Sequence, residues 1–513
     1  MNKKNLLLLL FLSFLLKPVW LFDYTSLSPG DDLSYWLHSA TLAFDYDINY
    51  LNDYFYNDAR FDPETNVPYH PPGSGYMSAP FVALFGMIDN FRTNSLSPYS
   101  SQIGLLSYYG FFVGTLFYTL LGFYFLSKLL DAKKLQRHKK LILLLTYLST
   151  IVHYSTTRFL MAHAHEFFLV TLILYNFEIN EKVSKKNILV LASSYFLLSL
   201  TRPSTFLISL VLLIAYSKKI NKNSWNIANL SLVFIFSYIY NWISNYLYNS
   251  NFILINFNNS IFLQNTGYEN LLDLNKIFLG LVKIPNLFFS FSGGLLWSTP
   301  IIFTGLLSFI ILLKRESFNL HKLGMLFYLA GFFIVAIVWE GREVAYGQRL
   351  FIGLLPYCAY ITALISRNID IKIPLSILNV NAYLQYLYFY SSDNLTLKEG
   401  KTLWGTVVGF APENYTLFLY KELFHLENIF TIFAKSIYSI NLFSLMSLDR
   451  ILQIPIIKHI SLEQISKFEN RAAKYLDISY LYVLLTSFSF FCFLFLFIKI
   501  ISSKNIIGYS RHK

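Results

Sequence analysis

The sequence predicts an all-α, polytopic membrane protein with about twelve transmembrane helices. Of its 513 residues, 55% are hydrophobic and only 14% are charged, whereas soluble domains carry about 25% charged residues. Apolar stretches long enough to cross a bilayer recur along the chain. Lys and Arg concentrate between these stretches, so the net charge of +12 indicates membrane topology rather than binding to nucleic acid.

The predicted spans follow from windows of about 20 mostly apolar residues. Arg202-Pro203 divides the apolar region 188–216 into two short spans, because proline interrupts the helical hydrogen-bond ladder and a guanidinium avoids the bilayer centre. The candidate spans are 5–22, 103–127, 141–157, 160–177, 188–200, 203–216, 225–247, 286–313, 323–339, 349–366, 373–390 and 479–500.

The distribution of charge predicts the orientation. The long loop 23–102 carries ten acidic residues and only two arginines, whereas the loops after alternate spans are rich in Lys and Arg. The positive-inside rule therefore puts the N-terminus in the cytoplasm and loop 23–102 outside. Because no small-x-small cleavage site is evident, we interpret 1–22 as a retained helix rather than a cleaved signal peptide. The predicted location is the bacterial inner (plasma) membrane, with the site facing the periplasm or the exterior.

Long outer segments suggest the domain organisation. Residues 1–390 are predicted to form the main transmembrane domain, with 23–102 as its first outer loop. Residues 391–478 form an extracytoplasmic or interfacial segment, within which 428–448 is apolar enough to lie in the interface or to span. Residues 479–513 are the last helix and a cytoplasmic tail. The cysteines, Cys358 and Cys492, lie in apolar runs and indicate no disulfide framework.

Asp31 and Asp32 begin a predicted helix over about residues 31–44, directly after Pro29-Gly30. One interpretation is a helix cap whose carboxylate matches the helix dipole. The other is a carboxylate base that accepts a proton from an acceptor hydroxyl during sugar transfer. The residues alone leave both readings open.

A second feature of the first outer loop is the turn His70-Pro71-Pro72-Gly73. The segment after it suits a helix that lies flat on the membrane. His70 could hold a phosphate or sugar oxygen, or it could cap the turn.

The outer segment 156–166 contains Arg158, His163, His165 and Glu166. The two histidines and the glutamate could ligate a divalent ion. On a helix, however, positions i and i+2 point in different directions, so polar contacts to a substrate are the favoured interpretation. We expect no cofactor and no metal.

Arg202 and Arg349 stand at the predicted outer ends of spans. Guanidinium groups match phosphate oxygens, and an arginine in a membrane needs a partner. Arginines on the outer face run against the basic-inside trend, so they favour an anionic ligand there, and a lipid phosphate is the natural one. The alternative is snorkelling, or pairing with Glu340 or Glu343. The chain contains no Walker loop, dinucleotide fingerprint, HExxH or CxxC pair.

Taken in order, these motifs resemble the GT-C superfamily of membrane glycosyltransferases, in the branch of protein O-mannosyltransferases and aminoarabinose transferases. The resemblance covers roughly residues 1–366 and not 391–478. Its elements are Gly30-Asp31-Asp32-Leu33-Ser34-Tyr35, His70-Pro71-Pro72-Gly73 with Ala79-Pro80-Phe81, Thr201-Arg202-Pro203, Gly293-Gly294-Leu295-Leu296-Trp297-Ser298-Thr299-Pro300, and Gly347-Gln348-Arg349-Leu350 followed by Pro356.

The resemblance implies a GT-C fold with interfacial helices in the first outer loop and a polyprenyl-phosphate-linked sugar donor. The sugar would pass, with inversion, to a lipid, glycan or protein acceptor. Asp31 would be the base and Asp32 its support, with Asp32 standing where many relatives have Glu. Residues that would contact the sugar or the lipid phosphate are Tyr35, His70, Arg158, His163, His165, Arg202, Tyr346 and Arg349.

Two other classes compete with this expectation. A lipid or polysaccharide transporter or flippase would show shorter outer loops and internal repeats, which this sequence lacks. A polysaccharide polymerase would place its large loop later in the chain.

Overall fold

The computed structural model describes residues 31–46, 48, 70–93, 106–180, 184–216, 274–282, 284–289, 294–315, 319–338 and 348–382. Every regular element in these ranges is helical, which confirms the all-α prediction for this part of the chain. The predicted spans 5–22, 225–247 and 479–500 lie outside the described residues, as does segment 391–478. The count of twelve spans therefore stays a prediction.

The helices of the described residues are numbered in chain order. In chain order they are α1 (Asp31–Ala40), α2 (Gly73–Thr93), α3 (Leu106–Ala132), α4 (Lys139–Thr146), α5 (His163–Ile179), α6 (Lys185–Thr201), α7 (Pro203–Ala215), α8 (Leu274–Val282), α9 (Ile284–Phe289), α10 (Leu295–Ser298), α11 (Pro300–Arg315), α12 (Leu320–Val338), α13 (Leu355–Ser366) and α14 (372–382). Wider π-helical turns cover Thr41–Asp45, Tyr147–Ile151 and His153–Thr157, and a 3₁₀ turn covers Arg349–Leu354.

The chain is organised in two compact units. The first contains α1, α2, α5, α6, α7 and α12, together with α3 as far as Leu129 and α8 as far as Leu279. The second contains α4, α9, α10, α11, α13 and α14.

Three helical segments of the described part are long and apolar enough to cross a membrane. They are Gly110–Ala132, Leu320–Ile337 and Arg349–Ser366, and they coincide with the predicted spans 103–127, 323–339 and 349–366. Large apolar side chains on two of them, including Phe117, Phe327 and Ile334, are exposed, as lipid-facing positions are. These segments indicate that the protein is associated with a membrane.

The predicted span 286–313 is interrupted. The interruption does not show in the hydropathy of the sequence, because that quantity is averaged over about 20 residues. Among its described residues, α10 ends at Ser298 and α11 begins at Pro300. Proline has no N–H to donate to the preceding turn, so it starts a helix more readily than it continues one. The apolar run is thus divided between separate helices.

The division of region 188–216 at Arg202-Pro203 is confirmed. Arg202 leaves the helical conformation at φ −148° and ψ 86°, and α7 starts at Pro203. The Tyr195 hydroxyl donates to the carbonyl of Ser209, 3.0 Å away, so α6 and α7 fold back against each other instead of continuing in line.

In the second unit, contacts to Asp370 join the connection after α3 to the connection after α13. Both connections are predicted to be cytoplasmic. Helix α3 ends with Lys134 in the left-handed region at φ 56°, where the N–H groups of Lys134 and Leu135 close the last turn on the carbonyls of Asp131 and Leu130. Arg137 and His138 then contact Asp370 at 3.2 and 3.0 Å.

The same interaction affects the protonation of Asp370. The Lys372 N–H bond to its carboxylate, followed by the charges of Arg137 and His138, holds the pKa of Asp370 below its usual value. Which side of the membrane these two connections face stays a prediction.

Candidate functional site

Side chains predicted to lie on the outer side form two sets of contacts within the first unit: Asp32 with Arg158, and Glu166 with His163 and Arg202. They come from the start of α1, the turn after Thr157, the first turn of α5 and the break between α6 and α7. We call these two sets together the outer cluster, and its members are Asp32, Arg158, His163, Glu166 and Arg202.

Asp32 and Arg158 form a two-pronged ion pair across 126 positions of sequence. Arg158 Nε lies 2.9 Å from Asp32 Oδ2, and Arg158 Nη2 donates to Oδ1 at 3.2 Å. The side chains are 15% and 9% exposed, so solvent screens the pair only weakly. Because the guanidinium holds both carboxylate oxygens, Asp32 fixes the start of α1 against the turn that carries Arg158.

Asp31 is the first residue of α1, immediately before Asp32. Its backbone is described but its side chain is not. The position of Asp31 is therefore set by α1, and Asp32 secures the same helical turn.

Glu166 is the centre of the second part of the cluster. It is 1% exposed and accepts a hydrogen bond from the Thr205 hydroxyl at 2.5 Å. His163 Nδ1 lies 3.3 Å from its other oxygen, and Arg202 Nε lies 3.9 Å from that same oxygen. Glu166 thus connects the first turn of α5 with the α6–α7 break, and Arg202 remains 22% exposed.

The beginning of α2 lies close to both α1 and α6. A Cβ on Gly73 would stand 2.6 Å from the backbone N of Thr201, the neighbour of Arg202. A Cβ on Gly75 would stand 2.7 Å from the carbonyl oxygen of Tyr35. Only glycine permits such approaches, which explains why a glycine-rich turn follows His70.

His70 is positioned by α1. Its ring stacks on Tyr35 with centroids 5.1 Å apart, and its carbonyl accepts a hydrogen bond from His38 Nε2 at 2.7 Å. The predicted ligand residues Tyr35 and His70 are therefore in contact with each other.

His163 and His165 face different neighbours, as helical geometry predicts. His165 Nε2 lies 3.1 Å from Ser78 Oγ, and its ring packs edge-on against Phe111 in a position with no exposed surface. His165 therefore contributes to helix packing and does not join the Glu166 group. Within the described ranges, no group of three or more His, Cys, Asp or Glu side chains is placed to share a metal ion.

Arg349 belongs to the second unit, where it begins the 3₁₀ turn. The N–H of its neighbour Gln348 donates to Thr299 Oγ1 at 3.2 Å, and Thr150 Oγ1 is also 3.2 Å from that oxygen. Thr299 and Gln348, which belong to two motifs that the sequence singles out, are thus in contact. Tyr346 lies outside the described residues.

Sequence reasoning missed the hydroxyl groups of Thr205, Thr150 and Thr299. Each makes a contact to a residue at least 39 positions away, and threonine has no pattern that reveals such a partner. Glu166 carried a weak signal, as an acid three residues after His163 in a helical first turn.

The chain matches no protein-family model, no curated protein and no solved structure. Its described residues define an all-helical, membrane-associated structure with ion pairs inside the first unit.

His38 makes the stability of the first unit depend on pH. Its burial lowers its pKa from 6.5 to about 3. Between these values the unfolded chain binds a proton that the folded chain does not, so stability is complete above pH 6.5 and declines as the pH falls towards 3. We expect this group alone to cost about 2 kcal/mol at pH 5.

Thermal unfolding in detergent between pH 7.5 and 5 tests this expectation, with His38→Gln as the comparison. Glutamine can still donate to the His70 carbonyl but does not titrate. The melting temperature of the variant should fall less steeply with decreasing pH, and equal slopes would contradict the assignment.

Proposed function

We propose that this protein is an integral-membrane glycosyltransferase. It would move a sugar from a polyprenyl-phosphate donor to an acceptor hydroxyl on the extracytoplasmic side, with inversion at the anomeric carbon. The observation that supports the proposal is the outer cluster, where the part-exposed guanidinium groups of Arg158 and Arg202 pair with the buried carboxylates of Asp32 and Glu166.

The guanidinium groups of the outer cluster suit a reaction in which a lipid phosphate is the leaving group. When the bond between the anomeric carbon and the phosphate oxygen breaks, the lipid phosphate keeps the electron pair and gains negative charge. Fixed donors aimed at that charge lower the barrier. Among the described residues, the guanidinium of Arg202 is paired only with Glu166 at 3.9 Å, which is too long for a hydrogen bond. Its N–H groups can therefore serve a phosphate.

The acid pair supplies the other half of the reaction. The acceptor oxygen forms a bond to the anomeric carbon, and its proton passes to a carboxylate base. Both oxygens of Asp32 are engaged by Arg158, so the base is assigned to Asp31. Asp32 keeps the role of holding the first turn of α1 in place.

The proposal is tested with the purified full-length protein in lipid nanodiscs. Polyprenyl phosphates carrying a hexose or a pentose serve as donors, and membranes from the producing cells serve as acceptors. We expect release of free polyprenyl phosphate together with a sugar newly bound to the acceptor fraction, both measured by mass spectrometry. In proteoliposomes, movement of the intact donor across the bilayer without cleavage would contradict the proposal and indicate a transporter.

A further inference from the structure

We propose that Glu166 is a positioning residue that sets the guanidinium of Arg202 for the lipid phosphate, and that Thr205 anchors Glu166 for this task. The inference rests on the proposed function, because it names how one residue of that site is held. Neither Glu166 nor Thr205 belongs to the set of residues that the sequence assigns to sugar or phosphate.

The carboxylate of Glu166 is held from several sides. It is 1% exposed, and a buried charge is tolerated only when partners compensate for it. Thr205 donates to Oε1, while His163 and Arg202 lie on the side of Oε2. Glu166 also stands in the first turn of α5, where the helix dipole favours a negative charge. Its position is consequently well determined.

Arg202 needs such a fixed partner. It lies where the helix is broken, and it is 22% exposed, so its long side chain could otherwise adopt many conformations. Recognition of a phosphate by a guanidinium depends on the orientation of its planar donors. The charge attraction over 3.9 Å restricts the guanidinium without using a hydrogen bond, and its donors remain for the ligand.

Removing the charge of Glu166 would change phosphate binding in two opposite ways, which one Kd cannot separate. The site would lose its guide for Arg202 but would also become more positive, and this second change by itself strengthens the binding of any anion. Variants that preserve the charge avoid the difficulty. Thr205→Val removes only the anchoring hydroxyl, and Glu166→Asp keeps the carboxylate but shortens its reach.

The test measures binding of farnesyl phosphate to the full-length protein in nanodiscs, with farnesol as the uncharged reference. We expect Thr205→Val and Glu166→Asp each to raise the Kd for farnesyl phosphate about five- to tenfold, the range set by one well-placed hydrogen bond. Binding of farnesol should not change. Thr171→Val is the matched control, because among the described residues its buried hydroxyl bonds to the Phe167 carbonyl of its own helix alone. The Kd of this variant should stay within about twofold of wild type.

A double variant tests whether the effect passes through Arg202. In an Arg202→Gln background, adding Thr205→Val should cause no further loss of affinity, because interacting residues give non-additive changes. A purely structural role of Thr205 would give additive losses and would overturn the inference.

The remaining outcomes separate the two proposals. Wild-type protein that prefers farnesyl phosphate over farnesol, with variants that bind it equally well, would overturn the positioning role alone. Wild-type protein with no preference for farnesyl phosphate would contradict the proposed function, and the inference with it.

Discussion

Replacing Arg158 with glutamine is expected to reduce the proposed sugar transfer about 100-fold or more and to lower the free energy of unfolding by about 3–5 kcal/mol. The change removes the guanidinium from Asp32, whose side chain is 9% exposed, and leaves a carboxylate buried without its compensating charge. The first turn of α1 then loses its attachment to the turn after Thr157. Transfer is measured in nanodiscs, and stability by chemical unfolding in detergent.

Two further variants show whether the buried pair is the cause. Asp32→Asn combined with Arg158→Gln removes both charges and should recover much of the stability but little of the transfer. Arg137→Gln breaks a pair that is 44% and 63% exposed and should change stability little, because solvent screens surface pairs. Wild-type stability in the Arg158→Gln protein would contradict the role assigned to the pair.

Introducing a methyl group at position 75 is the second change with a large expected effect. In Gly75→Ala the new Cβ would lie 2.7 Å from the Tyr35 carbonyl oxygen and 2.9 Å from the Ser39 nitrogen. Backbone atoms cannot rotate away, so α1 has to move as a body and carry Asp31 and Asp32 with it. We expect about 1–3 kcal/mol of destabilisation and a loss of transfer of about 100-fold, as displacements of about 1 Å can produce.

Gly86→Ala on the same helix is the matched control. Its new Cβ would meet the ring of Phe44, with the nearest atom 2.4 Å away. That atom is the far end of a flexible side chain, which can move without displacing α1. Transfer should therefore stay close to the wild-type value. Equal losses of transfer in the two variants would contradict the claim that transfer depends on the position of α1 against α2.

Local rules explain what the sequence predicted of the fold. The start of α1 at Asp31 and the break at Arg202 depend on neighbouring proline and glycine residues, whose effects act within a few positions. Three of the predicted spans depend on hydropathy over about 20 residues, and these appear as long apolar helices. The interruption of 286–313 was missed because a hydropathy window averages over Ser298 and Pro300.

The cluster was only partly predictable, because its contacts join distant parts of the chain. The sequence selected Asp32, Arg158, His163 and Arg202 one by one. It could not show that Asp32 pairs with Arg158 at a separation of 126 positions. Nor could it show that Glu166 joins His163 to Arg202. Such pairings depend on how helices pack, and no local pattern encodes them.

The most direct test of the central claim compares Asp31→Asn with wild-type protein in the transfer assay, with farnesyl phosphate binding measured on both. Because a positioned base contributes about 100-fold or more, transfer should fall by at least that factor while the affinity for farnesyl phosphate is unchanged. Transfer at the wild-type rate would contradict the assignment of Asp31 as the base. If Asp32→Asn abolished transfer and Asp31→Asn did not, the base would be Asp32 instead of Asp31.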